Sequence, residues 1–200
     1  MDVDRAMGRD STGRAGLGAA LALLLAGVLV VGCTVGRPPE GVADADFRLR
    51  GKIAVRGPGD AFSASFDWIQ TGDAFDIELW GPLGQGRVHL RGDGARLTVT
   101  NARGTTTSGI GAEPLMASAL GWSVPIAALP YWVRGRYDPR SVVSGEYRGA
   151  DGTLAGFQQL GWVVEVSRWR ESALGPVPAR VVATQRERRI VIVCKEWLIA

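Results

Sequence analysis

Apolar and polar residues alternate, in one short run after another, from residue 47 to the end of the chain. In the first run, 47–55, Phe, Leu, Ile and Val alternate mainly with Arg and Lys, and Gly51 permits a bend or bulge. Four further runs show the same alternation, at 62–68, 75–79, 88–91 and 97–100. A two-residue period is typical of β-strands with one buried face. Because short turns join these runs, we expect neighbouring strands to pair antiparallel as a meander.

The period changes to a helical one between residues 112 and 133. Apolar residues recur on one face of 112–121, with Pro near its start and Gly at its end. A second apolar segment, 125–133, contains Pro130, so its helix is either kinked or begins near that proline. Short helices with this much apolar surface are expected to cover another element.

Strand-like runs return after the helices, at 156–160, 162–169, 179–185 and 188–198. The predicted fold class is α+β: a strongly curved antiparallel sheet whose concave apolar face is covered by short helices. Residues 46–200 are expected to form this single domain.

Many inward-facing positions carry large aromatic side chains: Phe47, Phe62, Phe66, Trp68, Phe75, Trp122, Trp132 and Trp162. A curved sheet closed by short helices can leave a cavity between such side chains. The same rings can also fill the space as a packed core. Composition leaves both interpretations open.

The loop between the strands at 75–79 and 88–91 has an apolar residue at a position that is usually polar. Leu83 stands between Pro82 and Gly84 in the sequence GPLGQGR, whose glycines cannot continue a strand ladder. Either Leu83 folds back onto the hairpin, or it projects as an apolar finger that contacts lipid.

Residues 1–32 have the features of a lipoprotein signal peptide. The apolar run 17–31 follows three arginines and is too short to span a bilayer comfortably. It ends in Val-Val-Gly before Cys33, which resembles a bacterial lipobox. The resemblance implies cleavage before Cys33, a diacylglyceryl group on its sulfur and further acylation of its amine, which together anchor the chain permanently. Met7 would give this signal a cleaner start than Met1.

The residues that follow the lipobox predict where the chain goes. Thr34, in place of Asp, implies by the same resemblance that the protein is released to the outer membrane, facing the periplasm. Residues 33–45 hold the acylated cysteine and, with two prolines and two glycines, are expected to form a flexible tether. Cys194 then lacks an intramolecular partner, and we expect it to be a small core residue.

The sequence offers little for catalysis. His89 is the single histidine and lies on the polar face of a strand, so Ser/His and Cys/His nucleophile systems are not indicated. Asp76 and Glu78 share the wet face of a strand and are expected to be solvated. No phosphate-binding motif and no metal-ligand cluster is visible. We expect no enzymatic activity, no cofactor and no nucleic-acid partner.

Charge discriminates weakly between functions. The chain has 23 basic and 20 acidic residues, and removing 1–32 takes away three of each, so the net charge stays at +3. The arginines lie on polar strand faces or near 186–189, where a solvated face is the ordinary interpretation. An acidic partner, or the headgroups of anionic phospholipids, is the alternative.

Taken together, these motifs resemble the LolB family, outer-membrane lipoproteins that receive other lipoproteins from a soluble periplasmic carrier. The resemblance rests on the lipobox and on six segments: GKIAVR at 51–56, FSASFDW at 62–68, GPLG at 81–84, LGWSVPIAALPYWVRG at 120–135, PARVVAT at 178–184 and RRIVIVCKEWLI at 188–199. It implies an open β half-barrel with helices inside, a LolA-like carrier, lipoprotein cargo and contact with outer-membrane phospholipids. We expect a monomer.

The resemblance also implies two functional sites. Leu83, with Pro82 and Gly84 beside it, is expected to project from its loop and promote insertion of cargo into the membrane. Acyl chains are expected in an apolar cavity lined by Phe47, Leu49, Phe62, Phe66, Trp68, Ile77, Leu79, Leu115, Leu120, Trp132 and Trp162.

Two other hypotheses remain beside the lipoprotein receptor. One is a structural or assembly lipoprotein with a filled core, which would lack a cavity. The other is a lipid-modifying hydrolase, which would require a nucleophile and a base within hydrogen-bond reach.

Overall fold

A computed structural model describes residues 47–93 and 95–199. In this part of the chain, eleven strands form one open antiparallel sheet with the spatial order β6-β5-β4-β3-β2-β1-β11-β10-β9-β8-β7. The strands are β1 (Phe47–Gly57), β2 (Asp60–Thr71), β3 (Ala74–Trp80), β4 (Val88–Gly92), β5 (Arg96–Thr100), β6 (Thr106–Ile110), β7 (Val143–Arg148), β8 (Leu154–Gln159), β9 (Trp162–Ser172), β10 (Gly175–Gln185) and β11 (Arg188–Ile199). The helices are α1 (Ala112–Leu120) and α2 (Leu129–Trp132), and a short helical turn spans Pro82–Gly84.

The predicted meander is confirmed, and the sheet contains two of them. Strands β1 to β6 follow one another in space as in sequence, and so do β7 to β11. The first and last strands join the copies, with Phe47 opposite Ile199. The α+β prediction with an open sheet is therefore confirmed.

Gly51 shows why the central strand pair can bend. The register between β1 and β11 shifts between Arg50 and Gly51, which confirms the predicted irregularity. A Cβ at this position would lie 2.2 Å from the Val193 carbonyl oxygen and 2.8 Å from the Phe66 ring. The bulge therefore depends on a residue without a side chain.

The two helical segments differ in length. Helix α1 spans nearly the predicted range and ends at Gly121, whose left-handed backbone (φ 78°) suits a helix end. Helix α2 is a single turn that begins at Leu129 with Pro130 in its first turn. Of the two alternatives for this segment, the later start near Pro130 is correct.

Strand β7 was not predicted from the sequence. Its six residues show almost no alternation of burial, and the register with β8 is irregular. The strand lies at an edge of the sheet and pairs with β8 alone. An edge strand with both faces exposed carries no two-residue hydrophobic period, so a search for alternation passes over it.

Candidate functional site

A cavity of about 40 Å³ lies between the sheet and the helical layer. Twelve hydrophobic residues line it: Ile53, Phe66, Trp68, Ile77, Leu79, Leu90, Met116, Trp122, Val124, Ile126, Leu129 and Ile192. The sheet side comes from β1 to β4 and β11, where every second side chain points inward. The other side comes from α1, α2 and the segment between them. An apolar lining of this kind suits a hydrocarbon ligand.

The cavity is small in this conformation. Its volume is far below the roughly 300–1,000 Å³ that is typical of small-molecule sites. An acyl chain of about 15 methylenes enters only if the helical layer moves away from the sheet.

The predicted lining residues fall into three groups. Phe66, Trp68, Ile77 and Leu79 line the cavity. The structure places Phe47, Leu49, Trp132 and Trp162 in the core but not in the cavity lining, and leaves Phe62, Leu115 and Leu120 half-buried against that core.

Eight lining residues were absent from the predicted set: Ile53, Leu90, Met116, Trp122, Val124, Ile126, Leu129 and Ile192. Ile53, Leu90 and Ile192 stand at inward positions of predicted strands, so alternation could have found them. Val124 and Ile126 lie in a segment without regular secondary structure, where no period points to them.

Gln159 fixes helix α2 to the sheet through buried hydrogen bonds. The Trp132 indole Nε1 and the Asp138 backbone N–H both donate to Gln159 Oε1 at 2.9 Å. Gln159 Nε2 donates to the carbonyl oxygens of Asp138 and Ser141 at 2.8 and 3.0 Å. The Trp132 ring also packs against Trp162, with 6.3 Å between ring centroids. This half of the core is therefore filled and held in place.

Arg140 holds the segment that precedes α2. Its Nη2 donates to the Ala127 carbonyl oxygen at 2.8 Å, and its Nε donates to Asp138 Oδ1 at 2.9 Å. Its Nη1 reaches Asp73, in the turn between β2 and β3, at 3.4 Å. The hydrogen bond with Asp138 is the main reason that the pKa of Arg140 is raised. A charge-assisted cluster thus ties this segment to the sheet.

Helix α1 has no comparable attachment. Among the residues that the structure describes, no side-chain hydrogen bond or ion pair joins α1 to the sheet. Met116 is buried in the core, and Leu115 and Leu120 pack against it. The side chains on this side of the cavity make apolar contacts only, and one backbone hydrogen bond, from the Gly111 N–H to the Ala95 carbonyl oxygen at 3.4 Å, joins the start of α1 to the residue before β5.

The loop between β3 and β4 presents Leu83 to solvent. The side chain is 96% exposed, and the backbone has φ 60° and ψ 19° in the left-handed region. The Gly81 N–H donates to the Gln85 carbonyl oxygen at 2.8 Å and closes the loop. Pro82 and Gly84 flank the leucine, and Gly84 is also left-handed (φ 77°). The alternative in which Leu83 folds back onto the hairpin is not observed.

The titratable residues on the outer face of the sheet form ordinary ion pairs and hydrogen bonds. His89 Nε2 lies 2.5 Å from Asp76 Oδ1, Arg91 Nε donates to Asp76 Oδ2 at 2.7 Å, and Arg87 pairs with Glu78. Partial burial raises the pKa of Asp76, but the hydrogen bonds from His89 and Arg91 outweigh it and lower that pKa. These groups lie on the face opposite the cavity.

Cys194 is a buried core residue. Burial raises the pKa of its thiol to about 12, so the thiolate that would act as a nucleophile is not populated at neutral pH. Within 47–93 and 95–199, no group of His, Cys, Asp and Glu side chains is arranged to hold a metal ion. In the same ranges, no helix is long and apolar enough to cross a bilayer. The predicted signal peptide, Cys33 and tether lie outside the described residues.

Comparison with known proteins agrees with the resemblance. The family described as "Outer membrane lipoprotein LolB" matches residues 45–197. The outer-membrane lipoprotein LolB of Cellvibrio japonicus is 32% identical over 159 residues, covering 78% of each chain. That of Chromohalobacter salexigens is 36% identical and covers 74% of this chain and 69% of its own.

Two solved structures share the fold at low sequence identity. A LolA superfamily protein from Nitrosomonas europaea has a TM-score of 0.52 at 9% identity, covering 78% of this chain and 87% of that one. A DUF1329 family protein from Desulfovibrio piger has a TM-score of 0.50 at 10% identity, covering 78% and 86%. These structures support the open antiparallel sheet, while the family match and the sequence relatives carry the assignment. The chain therefore belongs to the LolB family of outer-membrane lipoproteins.

Proposed function

We propose that this outer-membrane lipoprotein accepts other lipoproteins from a soluble, LolA-like periplasmic carrier and inserts them into the inner leaflet of the outer membrane. The cavity between α1 and the sheet would hold the acyl chains of the cargo. The observation that carries the proposal is the wholly apolar lining beneath a helix that is held by apolar contact. Membership of the LolB family supports it.

The energetics of acyl chains require direct transfer between binding sites. Exposing a chain of about 15 methylenes to water costs on the order of 12 kcal/mol. Cargo must therefore pass from the carrier's site to this one without a free intermediate. The sequence contains no nucleotide-binding motif, so transfer runs down a gradient of affinity from carrier to cavity to bilayer. A cavity that opens against apolar contacts alone binds moderately, which allows release.

Opening is proposed to occur at α1. Helix α2 and the segment before it are tied down by Gln159 and Arg140, whereas α1 is not. Gly111, with φ 84°, connects β6 to α1 and can serve as the hinge. Moving α1 away from β5 and β6, on which it packs, would withdraw Met116 from the cavity and open a way in for an acyl chain.

A ligand-free structural or assembly lipoprotein is the second candidate. The small cavity favours it, because about 40 Å³ is what an imperfectly packed core can contain. The two candidates differ in whether the unaltered protein takes up cargo.

The deciding experiment incubates an anchor-free chain, residues 34–200, with a carrier loaded with a lipoprotein. The receptor hypothesis predicts that the cargo moves to this chain and copurifies with it. Retention of all the cargo by the carrier, with both proteins folded, would support the structural alternative.

A cross-link across the hinge tests the opening at α1. A Cβ at Gly109 would lie 3.7 Å from Leu115 Cδ1, so a Gly109→Cys/Leu115→Cys variant can be bridged by a short, reducible linker. Uptake should fall at least tenfold when the bridge is closed and return on reduction. The single-cysteine variants, treated identically, are the controls, and buried Cys194 should not react. Undiminished uptake by the bridged protein would show that α1 does not move.

A further inference from the structure

The turns between consecutive strands differ in charge between the two ends of the sheet. At one end, here called the loop end, lie the turns β1–β2, β3–β4, β5–β6, β8–β9 and β10–β11. These turns contain Arg87, Arg103 and Arg186, with one acid, Glu187. The described turn residues at the opposite end include Asp73, Asp93 and Asp151 and no base. The described turn residues are therefore mainly basic at the loop end and acidic at the opposite end. The strand ends beside the acidic turns also carry arginines, but Arg48, Arg91 and Arg148 each pair with an acid.

Four arginines concentrate charge at the loop end: Arg56, Arg186, Arg188 and Arg189. Arg56 on β1 stands directly opposite Arg189 on β11, on the outer face of the sheet. Arg188 is close to the β1–β2 turn, because its Nε would lie 3.3 Å from a Cβ at Gly57. Among the described side chains, these four arginines make no ion pair. Like charges directly opposite each other destabilise a sheet, so an anionic partner would relieve a cost that the fold already bears.

The loop end also carries most of the strained turn residues. The described residues other than glycine with a left-handed backbone are Leu83, Leu160, Arg168 and Arg186. Three of them, at φ 60°, 53° and 52°, lie in loop-end turns, where Gly or Asn would be less strained. Leu83 is 96% exposed and Leu160 is 47% exposed. These strained backbone conformations place Leu83, Leu160 and Arg186 in turns at the loop end.

We propose that the loop end is a surface that binds anionic phospholipids. The four arginines would contact headgroup phosphates while Leu83 and Leu160 enter the apolar region of the leaflet. A guanidinium group matches a phosphate with paired hydrogen bonds. An acidic protein would satisfy the arginines and leave the leucines in water, so the combination favours a membrane. This inference rests on the proposed role of Leu83 and adds the lipid class and the orientation of the sheet.

Vesicle binding of the anchor-free chain, residues 34–200, tests the proposal. One vesicle population contains phosphatidylcholine alone, and the other also contains about 30% phosphatidylglycerol. The test variant is Arg186→Gln/Arg189→Gln. The matched control is Arg96→Gln/Lys195→Gln, which removes the same charge from exposed positions outside the loop end.

The unaltered chain should bind the anionic vesicles at least tenfold more tightly than the neutral ones, and salt should reduce the difference. Each basic residue near an anionic surface contributes about fivefold to binding, so the test variant should lose on the order of 20-fold. The control should lose less than about threefold, since its charges lie farther from the surface.

Equal losses in the two double variants, or no preference for phosphatidylglycerol, would overturn the proposal. So would a test variant that keeps vesicle binding but takes up no cargo from the carrier, because its arginines would then contact a protein. Failure of the proposed function is a separate result, namely no uptake of cargo by the unaltered chain.

Discussion

Leu83 combines two properties that are individually unfavourable. It is an apolar side chain exposed to water, and it has a backbone conformation that costs a residue with a Cβ about 1–2 kcal/mol. Neither property contributes to folding. A role outside the fold is the simplest physical reason to keep a leucine there.

Replacing Leu83 by Glu should leave folding and cargo uptake unchanged and reduce delivery to membranes at least tenfold, because a charged tip cannot enter the bilayer. Transfer of labelled lipoprotein from the loaded chain to vesicles measures delivery. Leu83→Met, which keeps an apolar tip, is the control and should deliver normally. Loss of uptake in the Glu variant would instead place Leu83 in the cavity or the core.

Cys194 predicts a pH dependence of stability. Its thiol pKa rises from 9.0 to about 12 on folding, so the unfolded chain loses this proton at lower pH than the folded chain. The contribution of the buried thiol is complete below pH 9 and is lost as pH rises towards 12, at about 1.4 kcal/mol per pH unit. Between pH 8 and pH 10.5, the free energy of unfolding measured in urea should fall by about 2 kcal/mol more in the unaltered protein than in Cys194→Ala. Equal losses would mean that the thiol is not buried.

At the scale of elements, the helical layer divides into a part held by buried hydrogen bonds and a part held mainly by apolar contacts. Gln159 satisfies four polar groups around α2 from one buried position, whereas α1 relies on apolar side chains. Buried hydrogen bonds depend strongly on distance, so a hydrogen-bonded element resists displacement. Apolar contacts can be replaced by an acyl chain of similar polarity.

Gln159→Leu should lower the free energy of unfolding by about 3 kcal/mol or more, because it leaves several buried donors and acceptors unpaired. Gln158→Leu, at the adjacent exposed position, is the matched control and should change stability by less than about 0.5 kcal/mol. Denaturant unfolding measures both. A similar, small effect in the two variants would show that the network does not hold α2.

At the scale of the whole molecule, the predicted anchor at Cys33 and the proposed membrane contact of the loop end together impose a length requirement. Phe47 begins β1 at one end of the sheet and Arg56 lies near the other, at most about 30 Å along the strand. Residues 33–46 can extend at most about 48 Å. When the anchor and the loop end lie in the same leaflet, residues 33–46 must span the length of β1. Fully extended, they are somewhat longer than that distance.

Deleting residues 36–43 should therefore preserve cargo uptake and reduce delivery by the anchored protein, because the remaining segment reaches only about 20 Å. Replacing the deleted residues with a Gly/Ser sequence of equal length should restore delivery. Transfer of cargo into vesicles that carry the anchored variant measures the effect. Normal delivery by the shortened protein would contradict the proposed orientation.

The alternation of residues predicted most strands and the meander, because a strand with one buried face must repeat its hydrophobic residues every two positions. The sequence also predicted the irregularity at Gly51 and the position of Leu83 in the loop between β3 and β4. It missed β7, since an exposed edge strand has no such period.

Three features depended on contacts between distant segments. The cavity lining includes Val124 and Ile126 from a segment without regular structure, while the large rings of Phe47 and Trp132 belong to the core outside that lining. The difference between a fixed α2 and a freer α1 depends on hydrogen bonds to Gln159. The gathering of arginines and leucines at one end follows from strand order and register. Local sequence determines which face of a strand is buried, but only tertiary pairing decides which turns become neighbours, because that energy belongs to contacts between residues far apart in the chain.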